Sequence, residues 1–125
     1  IPESVQERIR QRILKYAEQH YSGKYIRMEI RFRAQFCYID AYTEPHVTAD
    51  FPPPGCTGTR EEHLERIRNT PVHLGRLRYF GNENSWSYAF YKYSDMKYEL
   101  CFLDNGSFFG TPEEAVQAGA VYLRS

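Results

Sequence analysis

Two carboxylates and a loop thiol are the residues in this chain whose types and spacing could do chemistry. Glu29 and Asp40 lie on neighbouring alternating segments. Two carboxylates brought together can share a proton for acid–base work or hold a cation. Cys56 follows Gly55 in a Pro- and Gly-rich stretch, with His46 and His63 as imidazoles able to activate a thiol. His46, Asp50, Cys56 and His63 also fall within eighteen residues, a set from which a metal site can be drawn. No C-x2-C or H-x3-H element accompanies them, so neither a metal nor a cofactor is expected. Gly55-Cys56-Thr57-Gly58 lacks the spacing and the following Lys of a phosphate-binding loop. With no oxyanion-hole signature near Cys56, catalysis is the secondary expectation.

A different chemistry is written in the stretch SWSYAFYKYS, residues 85–94. Trp86, Tyr88 and Phe90 share one side of an alternating run, while Tyr91 and Tyr93 supply rings beyond that row. A strand with one buried face needs a single apolar row. The extra rings call for a second use.

The elements that must position these residues follow from period and punctuation. Val5, Ile9, Ile13, Tyr16 or Ala17, and His20 recur at helical spacing, predicting a helix over about 4–21 that opens on a Ser4–Glu7 capping box and stops at Ser22-Gly23. Ile26, Met28, Ile30 and Phe32 then alternate with Arg27, Glu29, Arg31 and Arg33. A turn at Ala34-Gln35 sets Phe32 against Cys37, Ile30 against Ile39 and Met28 against Ala41, so that every inward pair is apolar. The same register sets Arg33 by Phe36, Arg31 by Tyr38, Arg27 by Tyr42, and Glu29 opposite Asp40. Like charges opposed on neighbouring strands are destabilising. An arginine from 27, 31 or the strand at 72–80 is the expected counter-charge.

Residues 44–58 form an aperiodic Pro/Gly loop, followed by a short helix from a Thr59–Glu62 capping box to about Asn69. Strands are predicted over 72–80, 85–93 and 97–103. Asn105-Gly106 is read as a hairpin turn into a last strand at 107–109. In this pairing Leu100 and Phe102 join the core face, Gly75 leaves room for Phe90, His73 lies beside the core face as a hydrogen-bonded structural residue, and Glu99 faces out. Thr111-Pro112-Glu113-Glu114 starts a final helix to about Leu123, packed through Ala115, Val116, Ala118 and Val121.

The expected architecture is a single α+β domain over 1–125: an antiparallel meander of five or six strands with the N- and C-terminal helices on one face and a short helix in the central connection. Arg27, Arg31, Arg33, Arg76, Arg78 and Lys97 would then share the other face with Tyr38, Tyr42, Tyr91 and Tyr93.

Composition narrows the classes. Apolar residues make up 42% of the 125 and charged ones 26%, with zero net charge, which fits a globular chain and argues against a general polyanion binder. Charge is nevertheless uneven, since residues 1–33 carry eight Lys/Arg against four Glu. Three cysteines without paired spacing favour a reducing, cytoplasmic setting. No apolar run approaches the ~18–20 residues of a membrane span, so no membrane partner is expected. The sequence therefore points to a non-catalytic binding module. Its arginine/tyrosine face would hold a protein partner, a second copy, a nucleic acid or another anion. The alternative is a small enzyme built on Glu29/Asp40, or on Cys56 with a loop histidine.

Overall fold

The computed structural model describes residues 1–45 and 47–123. The elements run α1 (Glu3–Tyr21), β1 (Arg27–Arg33), β2 (Phe36–Tyr42), α2 (Arg60–Arg68), β3 (Val72–Tyr79), β4 (Trp86–Lys92), β5 (Lys97–Leu100), β6 (Phe109–Gly110) and α3 (Pro112–Gly119), with a 3-10 turn at Ala120–Tyr122. The strands form one antiparallel sheet in the order β1-β2-β3-β4-β5, and β6 pairs with β4. The meander, the two flanking helices and the short central helix are the α+β architecture that the alternation predicts.

The inner face of the sheet and the stripe Val5, Ile9, Ile13 and Ala17 of α1 close over Ile39, Leu74, Leu77, Trp86 and Tyr88, with Ala115 and Val116 of α3 completing the core. Burying each large aliphatic side chain contributes roughly 1.5–3 kcal/mol. The N-cap of helix α1 is Pro2, two residues before the expected Ser4. The first helical bond runs from the Gln6 N–H to Pro2 O, so Ser4 falls inside the first turn and caps nothing. Thr59 does accept from the Glu62 N–H, and Thr111 and Glu114 form the full reciprocal box.

Strands β1 and β2 pair in the expected register, from Arg27↔Tyr42 to Arg33↔Phe36, with Glu29 opposite Asp40. The next ladder contains a bulge. Ile39 pairs with Gly75, yet Asp40 pairs with His73, which leaves Leu74 as the extra residue of β3. A bulge shifts side-chain phase by one. His73 therefore turns outward with Arg76 and Arg78, and does not flank the core as expected, while Leu74 turns in and is 1% exposed. Two missing Cβ atoms make this possible. A Cβ on Gly75 would overlap the Tyr88 ring, and one on Gly119 would overlap the Leu74 carbonyl. The ring that Gly75 admits is that of Tyr88, not Phe90, and its hydroxyl donates to Leu74 O at 2.7 Å.

Two further elements depart from expectation. The β4–β5 turn takes four residues rather than three, with Met96 in the left-handed region at φ 55°. The pairing becomes Tyr91↔Tyr98 and Ala89↔Leu100. A one-residue slip exchanges the faces, so Tyr98 and Leu100 point outward while Lys97 and Glu99 leave the outer face. Glu99 meets Lys92 at 3.8 Å instead. Beyond Leu100 the chain leaves the sheet, turns at Asn105-Gly106, and returns as β6 on the same edge of β4, with Trp86↔Gly110 and Ser87↔Phe109. Phe102 and Phe108 stack in this excursion, ring centroids 4.0 Å apart. Phe102, expected on the core face, is 60% exposed in this excursion, and Val121, expected to pack, is 67% exposed in the 3-10 turn that follows α3.

A charged clasp ties the helices to the β3–β4 connection. The Arg12 guanidinium donates to both Glu113 oxygens, at 2.8 and 2.6 Å, and to Asn84 Oδ1 at 2.9 Å. Arg8 does the same to Glu83 at 2.7 and 3.0 Å. The hydrogen bond from Arg12 holds the Glu113 carboxyl below its ordinary pKa.

Two outcomes follow. Gly75→Ala forces the Tyr88 ring out of its seat, with an expected loss of about 1–3 kcal/mol in urea unfolding; an unchanged midpoint would contradict this packing. Glu113 is depressed in the fold, so its contribution is present above its unfolded pKa of about 4.3 and disappears as pH falls through the lower folded value. Glu113→Gln should cost about 1 kcal/mol at pH 7, a figure already discounted for partial exposure. Below that lower folded value variant and wild type should unfold together.

Candidate binding face

Cross-strand register organises the outer face into rows. The first runs Arg33, Phe36, Arg78, Ser87, Phe109, and the second Arg31, Tyr38, Arg76, Ala89, Leu100. The third begins Glu29, Asp40, His73 and continues through the Tyr91↔Tyr98 pair. Arg27 and Tyr42 close the far end. Of the ten residues expected on this face, Arg27, Arg31, Arg33, Arg76, Arg78, Tyr38, Tyr42, Tyr91 and Tyr93 lie on one side, and Lys97 does not.

The third row is a charge network under a lid of rings. Asp40 is 3% exposed. One of its oxygens accepts from His73 Nδ1–H at 2.7 Å and the other from Arg31 Nη2 at 2.9 Å. Arg31 Nε also lies 3.7 Å from Glu29, so a single guanidinium bridges the two opposed carboxylates. This resolves the like-charge conflict read from the sequence. His73 is flanked by Tyr91 at 4.5 Å and Tyr93 at 6.0 Å, and Tyr98 packs edge-on to Tyr38 and Tyr91 at 5.6 and 5.0 Å. The Tyr93 hydroxyl accepts the His73 backbone N–H at 3.1 Å. Burial, with the Asp40 charge adding to it, pushes the Tyr98 phenol up to about 12. Asp40 and His73 have the geometry of an oriented imidazole, and beyond Asp40 the ring is flanked by Tyr91, Tyr93 and Tyr98.

The first two rows enclose a cavity of about 240 Å³ lined by Phe36, Arg76, Arg78, Phe80, Ser87, Ala89, Leu100, Phe108 and Phe109. Its concavity comes from register. Small Ser87 and Ala89 stand opposite Arg78 and Arg76, where larger residues would fill the sheet surface. Both guanidiniums lie over the Phe36 ring, at 4.3 Å for Arg76 and 5.7 Å for Arg78. Arg76 also reaches Tyr98 at 5.2 Å, and Arg78 reaches Phe80 at 5.1 Å. Among the described residues neither has a carboxylate within ion-pair distance. Such a pair of planar donors over rings can take up a carboxylate or phosphate while keeping its cation–π contacts.

Sequence reasoning missed Tyr98, Leu100, Phe80, Phe108 and Phe109 as members of this face. Tyr98, Leu100 and Phe102 share one alternation phase, which signals an apolar row, but only the turn length tells which side that row occupies.

Among the described residues the loop candidates do not assemble. His63 Nε2 bonds to Thr57 O at 2.8 Å, and the ring packs edge-on to Phe51. Cys56 is exposed, and its other expected imidazole, His46, lies outside the described residues. Among the described residues no three His, Cys, Asp or Glu side chains come together as a metal site. No described helix is long and apolar enough to cross a membrane. No protein-family model, curated protein or solved structure matches the chain.

The thiols give a direct test of the two faces. Cys37 is fully buried, and that burial pushes its pKa up to about 12. A disulfide reagent at pH 8 should therefore modify Cys56 quickly, half-buried Cys101 more slowly, and Cys37 only on unfolding. Rapid native labelling of Cys37, mapped by mass spectrometry, would be incompatible with this sheet orientation.

Proposed function

We propose that the protein is a small non-catalytic binding module whose outer sheet face holds an anionic partner, a nucleic-acid strand or an acidic protein surface. The observation that carries this reading is the pair Arg76 and Arg78, which line an aromatic cavity with no carboxylate partner among the described residues. Arginines needed only for stability tend to be paired, as Arg8, Arg12 and Arg31 are here. The mechanism is guanidinium pairing with phosphate or carboxylate, with ring stacking on Phe36, Tyr38, Tyr91 and Tyr98 supplying contact area. A cytoplasmic setting accords with three free cysteines.

A second reading, self-association through the same side, is favoured by exposed Phe80, Leu100, Phe108 and Phe109 around the cavity. Sedimentation over a hundredfold concentration range separates the two, since a dimer would be dispersed by Leu100→Ser/Phe109→Ser.

Fluorescence anisotropy with labelled single-stranded oligonucleotide and labelled polyglutamate tests the leading reading. At least one probe should bind at low salt and weaken by tenfold or more near physiological salt, as ionic contacts require. Arg76→Gln/Arg78→Gln should remove that binding while leaving the melting temperature within a few degrees. Failure of both probes at low salt, or binding indifferent to the double variant, would overturn it.

A further inference from the structure

The outer-face cavity has a polar floor that the chain itself does not use. Ser87 is only 6% exposed, yet its hydroxyl makes no hydrogen bond to another described residue and borders the cavity. Among the described residues no buried side-chain nitrogen or oxygen lacks a partner, so this hydroxyl is an accessible donor and acceptor at the cavity floor, available to a bound group. Its neighbours in the row are Arg78 on one side and Phe109 on the other. Two guanidiniums, an open hydroxyl and a set of apolar walls therefore converge on one volume.

Size and charge define what fits. A dry apolar cavity of about 150 Å³ accommodates benzene. The 240 Å³ here thus has room for one six-membered ring and a compact substituent. Phe80, Leu100, Phe108 and Phe109 are between 40% and 59% exposed at the wall, and a planar ring seated among them would cover this apolar surface. At the other end, two arginines carry two positive charges. A carboxylate would neutralise one, whereas an aryl phosphate carries about −1.5 to −2 at pH 7 and offers three acceptor oxygens.

We propose that this cavity is a binding site for an aryl phosphate. The aromatic ring lies against Phe80, Leu100, Phe108 and Phe109. The phosphate oxygens accept hydrogen bonds from Arg76, Arg78 and the Ser87 hydroxyl. The proposal rests on the anion-binding reading of this face and adds its chemistry. A free aryl phosphate and a phosphotyrosine side chain on another chain present the same ring and dianion, and only the flanking contacts differ.

Calorimetry and ¹H–¹⁵N NMR titration of the full chain test it with four probes: phenyl phosphate, a short blocked phosphotyrosine peptide, inorganic phosphate and phenol. Phenyl phosphate should bind at least tenfold more tightly than inorganic phosphate or phenol, with amide shifts centred on residues 76–78, 87–89, 100 and 108–109. Arg76→Gln/Arg78→Gln should weaken it at least tenfold and Ser87→Ala severalfold, each retaining a wild-type spectrum away from the site. A peptide tenfold tighter than phenyl phosphate assigns the ligand to a partner's side chain, and equal affinity assigns it to a free compound. If phenyl phosphate binds no better than inorganic phosphate, or shifts residues elsewhere, the aryl phosphate site is wrong. Should the oligonucleotide or polyglutamate still bind through Arg76 and Arg78 in that case, the broader anion-binding reading stands; should they fail too, both fall.

Discussion

The bulge at Leu74 in β3 is the constraint on which the functional face depends. One extra residue decides that His73 points at Asp40 while Leu74 enters the core. Without it, strict alternation back from outward Arg76 would send His73 inward and Leu74 to the surface, leaving a buried carboxylate short of a partner and the core short of an aliphatic. Three features hold the bulge together: the Tyr88 hydroxyl on the Leu74 carbonyl, the bare Cα of Gly75 under the Tyr88 ring, and the bare Cα of Gly119 against the same carbonyl. A helix, two strands and a phenol thus share one contact, and the packing of α3 is coupled to charge placement on the opposite side of the sheet.

That coupling separates the arginines of the outer face into two kinds. Arg31 is committed to structure, because it neutralises Asp40 and reaches Glu29 in a setting where removal of one partner strands a buried charge. Arg27 covers the Tyr42 ring at 3.8 Å, an exposed cation–π contact worth about 0.5–1 kcal/mol. Arg76 and Arg78 lie over Phe36 with their N–H edges uncommitted, because the residues beside them on β4 are too small to fill the surface. Charge is tied down where the sheet must be stable and left available where the sheet is hollow.

The sequence was legible where pairing involved only neighbouring segments of matched pattern. The β1–β2 register could be read because every inward pair, from Met28–Ala41 to Phe32–Cys37, is apolar, and a slip would have exposed them all. The counter-charge on Glu29 and Asp40 was legible in kind, as a nearby arginine, but its histidine partner was not. A bulge leaves no trace in alternation until the packing around Gly75 and Gly119 is known. The β4–β5 phase was lost to one residue of turn length, since left-handed Met96 is not a residue type that announces such a conformation. The cavity was hidden for a topological reason. Phe109 reaches it because β6 pairs with β4 rather than continuing a hairpin with β5.

The return of β6 to the edge already occupied by β5 bears on how the sheet meets other molecules. That edge is divided between a four-residue and a two-residue strand, with the Phe102–Phe108 excursion standing between them. A long, flat border of unpaired N–H and C=O groups would template the addition of a foreign strand, and this one is interrupted before it can do so. The opposite border, β1, is seven residues long but places Arg27, Glu29, Arg31 and Arg33 at alternate positions. A sheet rich in exposed rings is thereby protected at both margins from edge-to-edge aggregation, by brevity on one side and by charge on the other.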